Sequence, residues 1–265
     1  MEAVEKFKTQ NSGSLKNGVY FLSALMESDA FENMYLKMRT QEGRVYDDQT
    51  VRNLPEIEKS HRNYKEWSIR KNSSEKLTGY LAKKKTGLNI LDLGCGNGWL
   101  ANKLSGISGA AVFGVDINQQ ELEQAARVFG NKINLAFVYA DIFDSKINVM
   151  KFDVIILAGV LMYFKDLEIL INKLKEMLSE GGEIHLIDNA LYNKTDVEGA
   201  RLRTLEHYKQ MRMPEMAGHI YHHLLNEFDR YNPEIIYNPN SLASRVKRKS
   251  LETGLSPFYW MKIMK

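Results

Sequence analysis

The sequence NILDLGCGNG, at residues 89–98, decides the fold. Its first half is apolar, and its second half carries a glycine at alternate positions, Gly94, Gly96 and Gly98. A short apolar run that ends at glycine is typical of a buried parallel strand entering a tight turn, where glycine allows close approach of a ligand. Leu100 and Leu104 follow at helical spacing. The stretch therefore predicts a strand, a turn and a helix N-terminus, whose free amides and dipole face a ligand.

The spacing of these glycines separates two classes of nucleotide site. Dinucleotide-binding dehydrogenases usually show G-x-G-x-x-G, whereas this turn shows G-x-G-x-G with an acid two residues before it. The segment LDLGCGNG resembles motif I of the class I S-adenosylmethionine (SAM) dependent methyltransferases. The resemblance implies SAM as cofactor and S-adenosylhomocysteine (SAH) as product. The cofactor contacts that it implies in this turn are Asp92, Gly94, Cys95, here taken as a small spacer rather than a nucleophile, and Gly96.

An acid follows the second predicted strand, which spans residues 111–115. Asp116 lies 22 residues beyond Gly94, and an acid at about that distance accepts hydrogen bonds from ribose hydroxyls. Dehydrogenases place an acid there too, so this feature indicates an adenosine ligand better than it separates the families. We expect Asp116 and its neighbour Ile117 to contact the cofactor.

The next two predicted strands, residues 133–139 and 152–157, end at further candidate contacts. In similar methyltransferases an acid after the first of them meets the adenine amino group and its neighbour packs on the ring, which implies these roles for Asp141 and Ile142. The alternative for Asp141 is a loop cap. A backbone carbonyl after the second strand commonly faces the ammonium group of the ligand. The residues at that position are Ala158 and Gly159.

Alternating strands and helices predict an α/β fold with a parallel sheet covered on both faces. The resemblance implies a Rossmann-like, doubly wound, seven-stranded and mostly parallel sheet with an antiparallel last strand, at the aromatic-rich residues 257–264. N-terminal helices and a helical lid complete the predicted fold class. The predicted division is an N-terminal helical extension (1–72) and a methyltransferase domain (73–265) with a lid insertion at 189–231.

The N-terminal extension is predicted to be largely helical. Residues 1–16 are polar and are expected to fray, whereas residues 19–38 carry apolar side chains at helical spacing. A helix is also predicted at residues 61–71, and Asn72 with Glu75 has the form of a capping box that would begin another.

In similar methyltransferases this N-terminal region folds over the methionine end of the cofactor. The resemblance therefore implies that Arg70 pairs with the cofactor carboxylate and that Tyr64 lines the methyl channel. Tyr163, after the fourth strand, either lines the pocket or packs in the core.

A general base is needed only for some methyl acceptors. The sulfonium already activates the methyl group, so alignment is the main task of the enzyme and can supply about 7–11 kcal/mol, whereas a hydroxyl acceptor usually needs a base. On a helix, His219, His222 and His223 would share one face. A structural or solvated face, a substrate-site base and a metal site are the three interpretations. The predicted catalytic residues are His222, His223 and Tyr64, and no metal is predicted.

Composition narrows the functional class further. The chain of 265 residues has a net charge of +3, and its basic cluster at 245–249 is interpreted as a solvated helix face, so nucleic acid is not an expected partner. No apolar run reaches the roughly 18 residues of a membrane span, no signal peptide is recognised, and the single cysteine favours a cytoplasmic setting. The sequence predicts a SAM-dependent methyltransferase acting on a small-molecule acceptor. The alternatives are a non-enzymatic SAM-binding protein and a nicotinamide-dependent dehydrogenase, which the glycine spacing disfavours. The oligomeric state is left open.

Overall fold

The computed structural model describes residues 2–24, 30–84, 86–144, 146–147, 150–250 and 254–265. Over these residues the chain forms a nine-stranded sheet in the order β1-β2-β5-β4-β3-β6-β7-β11-β10 and a small two-stranded sheet, β8-β9. The strands are β1 (Leu15–Lys16), β2 (Val19–Phe21), β3 (Asn89–Leu93), β4 (Ala111–Asp116), β5 (Leu135–Tyr139), β6 (Phe152–Ala158), β7 (Leu178–Asn189), β8 (Leu191–Tyr192), β9 (His223–Leu224), β10 (Glu234–Tyr237) and β11 (Tyr259–Met264). The helices are α1 (Glu2–Gln10), α2 (Ala30–Gln41), α3 (Asp48–Asn53), α4 (Tyr64–Leu81), α5 (Trp99–Leu104), α6 (Gln119–Phe129), α7 (Leu167–Met177), α8 (Val197–Gln210) and α9 (Leu242–Ser250).

The central sheet has the predicted parallel arrangement. Strand β3 lies between β4 and β6 and pairs in parallel with both, and β7 continues the parallel set beyond β6. Strand β11 runs antiparallel between β7 and β10. The predicted α/β fold with a mostly parallel sheet and an antiparallel last strand is therefore confirmed. Seven strands, from β5 to β10 in sheet order, form this core, and the β1–β2 hairpin adds two more at its edge.

The helices cover the sheet with apolar faces that their sequences predict. Leu122, Ala125 and Phe129 of α6 are buried at helical spacing, and α7 buries a corresponding stripe. Both clusters of buried side chains pack against strands of the sheet. None of the helices in the described residues is long and apolar enough to span a membrane.

The N-terminal segment differs from the sequence-based expectation. The prediction that residues 1–16 fray is wrong for most of this stretch, because α1 packs Phe7 edge-on against the rings of Tyr20 and Phe113, with centroids 5.2 and 5.3 Å away. The predicted helix over 19–38 is wrong at its start, where β2 pairs in parallel with β5. Its later part is helical in α2, and residues 25–29 lie outside the described residues.

Helix α4 is one continuous helix. The capping box predicted at Asn72 and Glu75 is wrong, because the helix runs unbroken from Tyr64 to Leu81. Ser73 is buried in its middle and donates a hydrogen bond to Asp188, 2.7 Å away, which satisfies the hydroxyl without ending the helix. The domain boundary at 72/73 stays a prediction, and it falls inside this helix.

After residue 213 the lid region forms 3₁₀ helices and a short strand, where a second α-helix was expected. Helix α8 is followed by two 3₁₀ helices, Pro214–His219 and Leu225–Tyr231, with β9 between them. Met38 of α2 packs into the lid in a buried cluster that we call the methionine cluster. Its other buried members are Tyr208, Met213 and Met216. The lid and α2 are thus joined by a small apolar core of their own.

Candidate active site

A cavity of about 350 Å³ lies where the parallel strands end. Its floor includes Leu93 of β3, Asp116 of β4, Tyr139 of β5 and Ala158 of β6, each at the carboxyl end of its strand. Open α/β sheets bind ligands in this crevice, and the volume falls in the range of small-molecule pockets.

The cofactor residues predicted from the sequence meet in this cavity. They come from the glycine turn, from three other strand ends and from α4. All eleven line it, namely Arg70, Asp92, Gly94, Cys95, Gly96, Asp116, Ile117, Asp141, Ile142, Ala158 and Gly159. Their role in binding stays a prediction, whereas their convergence is a structural fact.

The glycine turn and the second strand end are held together by hydrogen bonds. The Asp116 carboxylate accepts the backbone N–H groups of Gly96, Ile117 and Asn118 at 2.8, 2.7 and 2.9 Å. A carboxylate has about four acceptor positions, so one remains for a ligand hydroxyl. Gly96 has a φ of +50°, and a Cβ there would lie 3.3 Å from Oε2 of Glu121. A side chain at this position would fill the floor of the cavity.

Asp92 presents an unsatisfied acceptor at the bottom of the cavity. The residue is 1% exposed, and its Oδ2 atom has no hydrogen-bond partner among the described residues. Burial, together with the nearby charge of Asp116, raises the pKa of Asp92 to about 7. Burial likewise raises the pKa of Glu121 to about 7, opposed by Arg39. A buried carboxylate oxygen without a partner is costly, and a cationic ligand near Oδ2 would lower that cost.

Asn189, which sequence reasoning assigned only to the start of the lid, fixes the turn after β6. Its Oδ1 atom accepts the N–H groups of Val160 and Leu161 at 2.9 and 3.0 Å, and its Nδ2 atom donates to the carbonyl groups of Leu157 and Ile187. The residue is buried, and all of these bonds are internal. The wall of the cavity formed by Ala158 and Gly159 is therefore rigidly placed.

Helix α2 contributes Glu32, Tyr35 and Arg39 to the lining of the cavity. The Tyr35 hydroxyl lies 3.4 Å from Oε2 of Glu121, and its ring packs edge-on against Tyr163 with centroids 5.8 Å apart. The guanidinium of Arg39 lies over the Tyr35 ring at 5.7 Å. Tyr163 lines the cavity, so of its two interpretations the structure favours a pocket position. The sequence predicted helical structure for α2 and N-terminal helices around the site, but it did not single out Tyr35 or Arg39.

Arg70 lines the cavity but is already paired. Its Nη2 atom lies 3.0 Å from Oε1 of Glu66, which Arg44 Nη1 also meets at 2.6 Å. Burial opposes ionisation of Glu66, but the two arginines outweigh it and lower the pKa of this carboxyl. Arg70 also lies over the ring of Trp67, another cavity residue, at 5.4 Å.

The predicted catalytic histidines lie elsewhere. The three histidines would share a face only on one helix, and that condition is not met, because His219 ends a 3₁₀ helix and His223 belongs to β9. His222 Nε2 lies 2.8 Å from Thr204 Oγ1, and His223 Nε2 is buried 3.1 Å from the carbonyl oxygen of Leu161. Neither residue lines the cavity.

Tyr64 also lies outside the cavity lining, at the first turn of α4, whereas Trp67 and Arg70 one and two turns later reach it. A general base at His222, His223 or Tyr64 stays a prediction that the arrangement of the cavity does not support. In the part of the chain that the structure describes, no three His, Cys, Asp or Glu side chains are grouped to hold a metal ion.

Comparison with known proteins identifies the family. A family model described as a methyltransferase domain matches residues 84–235. The malonyl-[acyl-carrier protein] O-methyltransferase of Acetivibrio thermocellus is 34% identical over 99 residues, which are 37% of this chain and 34% of that protein. The tRNA U34 carboxymethyltransferase of Alteromonas mediterranea is 34% identical over 133 residues, 48% of this chain and 39% of that protein. The chain thus spans between a third and two-fifths of the length of these curated relatives.

Solved structures share the fold. The magnesium protoporphyrin IX methyltransferase of Synechocystis PCC 6803, solved with bound SAH, superposes with a TM-score of 0.54 over 88% of this chain and 98% of its own, at 16% identity. Phosphoethanolamine N-methyltransferase 2 of Haemonchus contortus, in complex with SAM, gives a TM-score of 0.53 over 84% of this chain and 48% of its own, also at 16% identity. These likenesses concern the fold alone. Because the family model covers more than half of the sequence, the protein belongs to the family of methyltransferase domains.

Proposed function

We propose that the protein transfers a methyl group from SAM to a small-molecule acceptor. The observation that carries the proposal is the cavity at the strand ends, which joins a free acceptor position on Asp116 to the unsatisfied Oδ2 atom of Asp92 across one glycine turn. A ligand with ribose hydroxyls at one end and positive charge at the other satisfies both groups. SAM has these features, and a dinucleotide brings phosphate charge instead.

The position of each group gives the ligand one orientation. Asp141 and Ile142 follow β5 and are assigned to the adenine. Asp116 follows β4 and is assigned to the ribose. The cationic methionine end then lies over Asp92, at the end of β3, near Arg70 of α4. This order runs along neighbouring strands of the sheet, as the pairing of β5, β4 and β3 requires.

The chemistry that SAM supplies is an activated methyl group for in-line displacement. The contribution of the chain is to align acceptor and donor and to keep water out, which can account for about 7–11 kcal/mol of the barrier. Tyr35 and Tyr163 close the cavity on the side of α2. The methionine cluster ties α2 to the lid, so that this cover is held in place by apolar packing.

The covered cavity also supports a small acceptor. The space of about 350 Å³ has to hold the cofactor and the reacting part of the acceptor together. The rings of Tyr35 and Tyr163 beside this space admit a compact molecule more readily than a folded nucleic acid. The two curated relatives named above act on a malonyl-carrier protein and on a tRNA, so family membership alone does not select the acceptor.

Calorimetry with SAM, SAH and NAD⁺ tests the cofactor part of the proposal. We expect SAM and SAH to bind and NAD⁺ not to bind. Asp116→Ala should weaken SAH binding about 10- to 100-fold, since a hydrogen bond to a charged group contributes about 1.5–3 kcal/mol. The matched control is Asp229→Ala, an exposed lid aspartate. Binding of NAD⁺ instead of SAM, or equal affinity in the two variants, would contradict the proposal.

Turnover is tested by SAH release over a panel of small carboxylic acids, phenols and amines. Production of SAH that depends on one class of acceptor would support the enzyme assignment. SAH binding without turnover on any class of acceptor would favour the alternative of a non-enzymatic SAM-binding protein.

A further inference from the structure

Arg39 brings a buried, weakly paired guanidinium into the cavity. Its Nε atom is buried and makes no hydrogen bond to any residue that the structure describes. Its nearest carboxylate contact in that part of the chain is Glu42, with Nη1 and Oε2 4.0 Å apart, at the outer limit of an ion pair. Arg39 thus lines the cavity without an ion pair shorter than 4.0 Å among the described residues.

Arg39 is the most weakly paired member of a chain of ion pairs. Arg39, Arg44 and Arg70 form one chain of ion pairs with Glu42 and Glu66, which we call the arginine group. Arg44 lies 3.0 Å from Glu42 and 2.6 Å from Glu66, and Glu66 also meets Arg70 at 3.0 Å. Both carboxylates are thus engaged at short distance by the other two arginines. Three guanidinium groups share these two carboxylates, and Arg39 has the longest contact of the three, although the charge of Glu121 also acts on it.

The cavity carboxylates nearest to Arg39 are occupied in other ways. Asp116 accepts three backbone N–H groups of its own loop. Glu121 meets the Tyr35 hydroxyl at 3.4 Å and has a pKa of about 7, so burial leaves it only partly ionised at neutral pH. Neither replaces a short, direct partner for the guanidinium.

Aromatic side chains lie next to Arg39 in the cavity. Tyr35 lies under its guanidinium, and Tyr163 packs edge-on against Tyr35. Phe164, the next residue, also lines the cavity and meets the ring of Phe143 at 6.3 Å. Flat apolar walls beside one positive charge suit a flat apolar body that carries one negative charge.

We propose that Arg39 anchors a carboxylate on an aromatic methyl acceptor, held between Tyr35 and Tyr163. This inference rests on the proposed function and adds the acceptor class to it. A planar guanidinium binds a carboxylate through two parallel hydrogen bonds. The same contact draws charge away from the carboxylate and makes it a poor nucleophile. The carboxylate is therefore the anchor, and another group of the acceptor receives the methyl.

Binding of benzoate and benzamide to the SAH-saturated protein tests the proposal. The two probes have the same shape and differ in charge. We expect calorimetry to give benzoate a Kd at least 10-fold below that of benzamide, and Arg39→Gln to remove the difference while the variant stays folded by circular dichroism and still binds SAH. Arg39→Lys, which keeps the charge but loses the planar fork, should retain part of the preference. The matched control is Arg201→Gln, because Arg201 is an exposed lid arginine paired with Glu198 at 3.4 Å.

Three outcomes would overturn the inference. The first is equal affinity for the two probes. The second is a benzoate preference that Arg39→Gln leaves intact or that Arg201→Gln removes. The third is a loss of SAH affinity in Arg39→Gln with benzoate displacing SAH, which would assign Arg39 to the cofactor carboxylate. Failure of SAH to bind the wild type would instead overturn the proposed function, and this inference with it.

Discussion

Replacing Gly98 by alanine tests why the glycine turn ends as it does. Gly98 has a φ of +76°, and a Cβ there would lie 2.6 Å from Cε1 of Phe137 and 2.7 Å from Cβ of Ala125. A left-handed conformation costs an alanine about 1–2 kcal/mol, and overpacking a tight core adds about 1–3 kcal/mol. The smaller entropy of the unfolded alanine chain offsets about 0.4–1 kcal/mol. We expect Gly98→Ala to lower the free energy of unfolding by roughly 2–4 kcal/mol.

Gly181→Ala is the matched control. Gly181 also has a positive φ, +71°, but no atom lies within 4 Å of the added Cβ. Only the backbone cost applies there, so a loss of about 1 kcal/mol is expected. Urea unfolding followed by circular dichroism measures both variants, and the slope m should be unchanged. Equal destabilisation by the two substitutions would refute the argument, because it would mean that the packing of Gly98 on Phe137 contributes nothing.

Three further predictions concern charge and the lid. Since cation binding favours ionised Asp92, whose pKa is about 7, SAM affinity should rise about 10-fold between pH 6 and pH 8, whereas the uncharged thioether 5′-methylthioadenosine should show no such rise in calorimetry. His185 Nε2 and Lys84 Nζ lie 3.1 and 2.8 Å from buried Glu183 and hold the pKa of that carboxyl at about 2, against the opposing effect of burial. The stability that this lowered pKa contributes is present above about pH 4.5 and is lost as the pH falls towards 2, and Glu183→Gln should abolish this pH dependence in urea unfolding. His223→Ala removes one of two hydrogen bonds to the Leu161 carbonyl, which still accepts the N–H of Phe164 at 3.0 Å, and should cost about 0.5–1.5 kcal/mol in the same assay. SAH affinity should match that of the exposed control His219→Ala, and a loss of SAH binding confined to His223→Ala would return this histidine to the cavity.

The cofactor side of the cavity could be predicted because its residues are placed by local structure. Gly94, Gly96 and Asp92 belong to one strand and its turn, and Asp116 and Asp141 directly follow strands. Once the strands are parallel and adjacent, their carboxyl ends meet at one edge. A correct prediction of the strands and of their parallel pairing therefore brings these side chains together without any knowledge of side-chain packing.

The N-terminal segment could not be predicted in the same way. Val19 to Phe21 is too short an apolar run to show whether its period is that of a helix or of a strand. It becomes β2 because β5 offers an open edge more than 110 residues later in the chain. Phe7 is likewise ordered by Tyr20 and Phe113, which the local sequence of α1 does not reveal.

The acceptor side depends on such distant contacts throughout. Arg39 lines the cavity, and Met38, the adjacent residue of α2, packs into the methionine cluster of the lid. Tyr35 meets Tyr163, which lies 128 residues away in the sequence. The sequence favoured histidines as catalytic groups because they titrate near neutral pH. In the structure His222 instead contacts Thr204, and His223 contacts the backbone carbonyl of Leu161. Suitable side-chain chemistry is therefore weak evidence for a role in a site unless tertiary packing brings that side chain to the site. In this fold tertiary packing brings Arg39 to the cavity, which is why we propose it, and not a histidine, for acceptor binding.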